Sequence, residues 1–122
     1  MAERIALEIY RLTRVFPLEE RFGLAQQMRR AAVAIGSDIT EGCARSGPRD
    51  FARFLEMALG SAAELQFQLR ISCRSGYIES AEHDATANDL RQVQRMLIRL
   101  IKRVRPAPGF PEAGRKPTTD NR

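Results

Sequence analysis

The chain has 122 residues, 43% hydrophobic and 29% charged, with 20 Lys+Arg against 15 Asp+Glu for a formal net charge of +5. That length suits one domain with one core, and the composition is that of a folded chain rather than a disordered one. No apolar run reaches the roughly 18 residues of a membrane span, and Met1-Ala2-Glu3-Arg4 leads into no signal-type apolar stretch. A cytoplasmic protein without membrane contact is expected.

Helical periodicity runs through the chain, with no sustained alternation of the kind a half-buried strand shows. Ile5, Ile9, Leu12 and Phe16 share one face of a first helix, predicted over residues 2–16 and stopped by Pro17. Pro17-Leu18-Glu19-Glu20 then opens a second helix over 18–44, since proline suits a first turn and carboxylates complement the positive end of the helix dipole. Its expected core stripe is Phe22, Ala25, Met28 or Arg29, Ala32, Ile35 and Ile39.

Ser46-Gly47-Pro48-Arg49-Asp50 reads as a break and restart, with Ser46 as a small polar cap and Pro48 at the first helical position. The third helix is predicted over 48–75 and closed by Gly76 in the left-handed conformation. Ser80 is the expected cap of a fourth helix over 80–105, whose apolar face is Leu90, Val93, Leu97, Leu100, Ile101 and Val104. From Pro106 four of the six prolines and two glycines fall within 17 residues, so 106–122 is predicted to be a disordered tail outside the 1–105 folding unit. Four amphipathic helices on short connections imply an all-α, antiparallel up-down-up-down four-helix bundle.

Several chemistries are excluded by residue counts. Cys43, Cys73 and His83 are the only soft or imidazole ligands, too few for a four-ligand zinc site. Both cysteines fall in predicted helices, where two buried reduced thiols are expected, and His83 reads as a solvated first-turn residue. Nothing around it sets up a nucleophile and an orienting acid, and no strand precedes a Gly-rich phosphate loop. The expectation is no catalysis, no metal, no cofactor and no small-molecule substrate.

Helix 3 carries two seams at spacings of four and three. Phe51, Leu55, Ala58, Ala62, Leu65, Leu69 and Ser72 suit the bundle core. Arg53, Met57, Gly60, Glu64, Phe67 and Ile71 lie on the opposite side, and a helix in a monomeric bundle needs only one such stripe. The second seam therefore asks for another copy of the chain, and a close helix approach there would offset the roughly 1 kcal/mol that Gly60 costs against alanine. On helix 2, Ala31, Ala34, Ser37, Asp38 and Glu41 fall away from the core stripe. They form either a solvated face or a subunit interface in which Glu41 or Glu64 pairs with Arg29, Arg30 or Arg53.

Charge is uneven along the chain: residues 1–78 hold 11 basic and 9 acidic groups, whereas 91–105 hold 6 basic and none acidic. At 100° per residue Arg91, Arg95, Arg99 and Lys102 share one outward stripe, with Arg103 beside it. Arginine suits phosphate because its planar guanidinium donates two parallel hydrogen bonds, and 18 of the 20 basic residues are arginine. The stripe is either a nucleic-acid surface or a solvated helix end whose cations complement the dipole. No aromatic residue is interleaved to stack on bases, so binding there would be weakly sequence-selective.

An ordered series of segments completes the reading: Ile9-Tyr10-Arg11-Leu12-Thr13, Phe16-Pro17, Glu20-Arg21-Phe22-Gly23-Leu24, Gln27-Met28-Arg29-Arg30-Ala31-Ala32, Ile35-Gly36-Ser37-Asp38-Ile39-Thr40-Glu41-Gly42, Phe54-Leu55, Ala58-Leu59-Gly60-Ser61 and Glu64-Leu65. With Gly76-Tyr77-Ile78 at the hinge, the series resembles the "four helix bundle protein" family, also described as 23S ribosomal RNA intervening-sequence proteins, from about residue 9 to Ile101. The resemblance implies a left-handed antiparallel bundle assembling into a homopentamer without established catalytic activity. It also implies a likeness to the accessory proteins of diversity-generating retroelements, basic pentamers associated with a reverse transcriptase and nucleic acid. Asp38 and Thr40 depart from the Asn and Ala usual in that family, and Cys43 from an aromatic. Two functions follow: an oligomeric accessory protein binding RNA or DNA, or an oligomeric scaffold for another protein.

Overall fold

The computed structural model describes residues 1–104, so the tail at 106–122 lies outside the described residues. Among these the chain forms four α-helices, α1 (Ala2–Thr13), α2 (Leu24–Cys43), α3 (Pro48–Arg74) and α4 (Ser80–Val104), with one 3-10 turn at Leu18–Glu20 and no strand. Each helix packs on its neighbours in chain order, and α1 also meets α4, so the four surround one core. Met28 near the start of α2 lies beside Ser72 near the end of α3, while Arg45, just past α2, lies over Phe54 near the start of α3.

The first connection departs from the predicted boundaries. α1 ends at Thr13, three residues early, and Phe16 is buried from the turn beyond it, its ring 5.2 Å from that of Tyr77. The Thr13 hydroxyl donates to the Ile9 carbonyl at 2.7 Å. Pro17 is extended and starts the 3-10 turn, and Gly23, at φ −108° and ψ −107°, interrupts the path before α2 begins at Leu24 rather than at 18. Glu20 joins this turn to two other elements: one carboxylate oxygen accepts the Leu24 N–H at 3.2 Å and the other accepts the Tyr77 hydroxyl at 3.2 Å. The break shifts the helical register, so Phe22 leaves its predicted core position and is 79% exposed.

Downstream the apolar stripes fall inward. Ala25, Met28, Ala32 and Ile35 are buried and Ile39 half-buried. Ala31, expected to point away, is also buried and belongs to the core cluster. On α3, Leu55, Ala58, Ala62, Leu65, Leu69 and Ser72 are buried and Phe51 is half-buried. α4 buries Leu90, Val93, Leu97 and Ile101, with Leu100 and Val104 half-buried. Each fully buried large side chain contributes about 1.5–3 kcal/mol relative to exposure.

The helix ends show how backbone chemistry fixes the connections. Gly47, not Ser46, caps α3, accepting the Phe51 N–H at 3.0 Å, with Pro48 in the first turn where its missing donor costs nothing. At the other end Gly76 has φ +82°, Gly76 N–H donates to the Cys73 carbonyl (3.0 Å) and Tyr77 N–H to that of Ser72 (2.8 Å). This pair of bonds is the Schellman closure that a left-handed glycine permits. Glu79 takes the cap position expected of Ser80, its carbonyl accepting the His83 N–H at 2.9 Å. Both cysteines are free, but Cys43 is exposed and Cys73 half-buried, correcting the expected pair of buried thiols. His83 is half-buried rather than solvated, with Nδ1 3.0 Å from Asp84 Oδ1.

Candidate nucleic-acid interface and subunit face

α4 turns its apolar stripe to the core and thereby directs Arg91, Arg95, Arg99, Lys102 and Arg103 outward, all exposed. Among the described residues none of the five forms an ion pair, whereas Arg4 holds Asp89 at 2.9 Å and Arg11 reaches Glu82 at 3.3 Å. The acids of α4 within these pairs are thus spent near its start, and the basic half stands alone. Arg95 and Arg99 flank a shallow hollow of about 300 Å³ that Met1 and Met96 also line.

The second seam of α3 is open. Arg53, Met57, Gly60, Glu64, Phe67 and Ile71 are all exposed, with Phe67 58% accessible. A Cβ built on Gly60 meets nothing within 4 Å. Arg53 turns to its own helix, 3.6 Å from Asp50 and with its guanidinium 4.7 Å from the centre of the Phe54 ring, which Arg45 covers at the same distance. On α2, Ala34 is half-buried and lines a groove with Tyr10 rather than being placed with this seam, and Glu41 is exposed and paired with Arg45 at 2.7 Å. Burial, and secondarily the neighbouring Glu41 charge, hold the Asp38 carboxyl above its ordinary range.

A third surface is not legible from the sequence. Tyr10 of α1, Arg21 and Phe22 of the turn, and Arg29, Arg30 and Val33 of α2 line an open groove of about 660 Å³. The α4 stripe can be read from one helical wheel, but this groove is assembled from three elements and depends on the exposure of Phe22, which follows from the break at Gly23. Among the described residues no group of three or more His, Cys, Asp or Glu is placed to hold a metal ion, and no helix is long and apolar enough to cross a membrane.

Comparison with known proteins places the fold. The chain superposes with a TM-score of 0.75 on the crystal structure of a protein of unknown function from the S23 ribosomal protein family of Bacteroides thetaiotaomicron, at 26% identity over 83% of this chain and 94% of that one. No curated protein matches the chain. The model of the 23S rRNA-intervening sequence protein family matches residues 1–99, and the chain therefore belongs to that family.

Proposed function

We propose that this protein is a non-catalytic, cytoplasmic accessory protein that binds RNA or DNA as a homo-oligomer of antiparallel up-down-up-down four-helix bundles, in the pentameric state its resemblance implies. The reading is carried by the five cations along the outer face of α4 that form no ion pair among the described residues. Guanidinium groups without carboxylate partners are free to take phosphate oxygens in pairs, and repetition of the stripe around an assembly multiplies the field. Affinity for structured RNA and for mixed-sequence DNA should fall steeply between low and moderate salt, because each bound phosphate releases counterions. Fluorescence anisotropy at two salt concentrations tests this, and absence of binding at low salt overturns it. Replacing Arg91, Arg95 and Arg99 together by glutamate should abolish the binding; unchanged affinity would place the contact on another face.

The exposed seam of Met57, Phe67 and Ile71 supports the oligomer and also favours a second reading, a scaffold that docks another protein without nucleic acid. Phe67→Glu should lower the sedimenting mass while leaving the helical signal intact. A variant that sediments like the parent removes this seam from the interface.

A further inference from the structure

The groove between α1 and α2 combines two features that the α4 stripe lacks: exposed aromatic rings and cations stacked on them. Tyr10 and Phe22 are 43% and 79% exposed. The Arg29 guanidinium sits 5.1 Å from the Tyr10 ring centre, and that of Arg21 5.4 Å from the Phe22 ring centre. Arg29 is anchored by an Nε–H donated to the Thr13 hydroxyl oxygen at 2.8 Å, and it lines the groove with no hydrogen bond from its two terminal nitrogens among the described residues. Among the described residues Arg21, Arg29 and Arg30 have no carboxylate partner, and Asp38 is the one acid in the lining.

We propose that this groove binds a short single-stranded stretch of nucleic acid, its bases stacked on Phe22 and Tyr10 and its phosphates held by Arg21, Arg29 and Arg30. The assignment rests on the reading of the protein as a nucleic-acid binder and deepens it. A stripe of cations grips phosphates in any strand, whereas rings can stack only on bases that a duplex has not already paired and stacked. A second copy of the chain is the other candidate occupant, and charge disfavours it. The outer face of α3 that it would present carries Arg70 and Arg74 beside Phe67 and Ile71, with Glu64 as the acid free of partners among the described residues, so basic surface would meet basic surface.

The chain contains no tryptophan, so Phe22→Trp adds a single indole reporter at an exposed position. Its fluorescence should be quenched by a single strand of about 12 nucleotides and not by the duplex of the same sequence. Phe22→Ala, followed by anisotropy, should weaken single-strand binding about 10- to 100-fold and leave duplex binding unchanged. Single-strand binding with no quenching and no loss in Phe22→Ala overturns the groove while the α4 reading stands. Failure of both nucleic acids to bind at low salt overturns both. A fall in sedimenting mass in Phe22→Ala means that another copy covers the groove, which also overturns the proposal.

Discussion

Gly42, near the end of α2, and Gly60, in the middle of α3, are both helical glycines, and the surfaces around them differ in kind. A Cβ on Gly42 would lie 2.9 Å from the Phe54 Cβ and 3.1 Å from the Phe51 ring, so glycine is what lets α2 and α3 approach there. A Cβ on Gly60 would meet nothing within 4 Å. Each glycine costs a helix roughly 1 kcal/mol against alanine. Inside one subunit that cost is offset at Gly42 by the helix contact and at Gly60 by nothing. The difference separates surface that the chain covers for itself from surface it leaves open, and the two seams of α3 fall on opposite sides of that line.

The largest effect should come from the covered side. Leu65 is fully buried, so Leu65→Ala should cost about 2–5 kcal/mol through lost transfer energy and the cavity left behind. Phe67→Ala, two residues along on the open seam, should stay within about 0.5 kcal/mol for the isolated subunit. Denaturant melts at low protein concentration measure both, and comparable losses would erase the distinction between the seams. Next in size is Gly42→Ala. The Phe54 Cβ is tied to the α3 backbone and cannot swing aside, so overpacking should exceed the gain in helix propensity and leave a net loss of about 1–2 kcal/mol.

Gly60→Ala should do the reverse. With open space at the new methyl, the isolated subunit should gain up to about 1 kcal/mol from helix propensity. If two copies approach closely on this seam, the same methyl should weaken the assembly. Thermal melts across a range of protein concentration separate the two: a gain independent of concentration means that no copy packs against Gly60, and a loss that grows with concentration means that one does.

Most of the bundle could be read from spacing alone because its buried stripes repeat at four and three residues, as on α3 from Leu55 to Ser72. The Gly76 stop was equally legible, since only a residue tolerant of positive φ closes a helix that way. The first connection was not. Counting Phe22 into the α2 stripe assumes an unbroken helix from Leu18, and the 3-10 turn with Gly23 behind it rotates that residue to solvent. The α4 cations were legible because one helix carries them all. The groove was not, because Tyr10, Phe22 and Arg29 become neighbours only once that same turn has formed. Ala31 illustrates the remaining gap: a small residue on a helix flank reads alike whether protein or water covers it, and here it is buried in the core cluster.

Asp38 gives the smallest and most discriminating effect. Its carboxyl is half-buried beside Glu41, with no ion pair among the described residues, and it titrates above the ordinary value of 3.8, chiefly through burial. A carboxyl whose folded pKa is raised disfavours the charged state of the fold, so the wild type gains stability as pH falls through that folded pKa. Asp38→Asn lacks the titration. It should therefore be slightly more stable than wild type near neutral pH, within the ~0.5 kcal/mol usual for surface positions, and the advantage should vanish once pH drops below 3.8. Paired melts at pH 7 and pH 3 on dilute protein measure it. If instead a neighbouring copy supplies an arginine to Asp38 in the assembly, removing the carboxylate strands that cation, and the variant should lose stability at neutral pH in proportion to the fraction assembled. The sign of one small difference thus reports whether this flank of α2 stays open in the assembly or is covered by another copy of the chain.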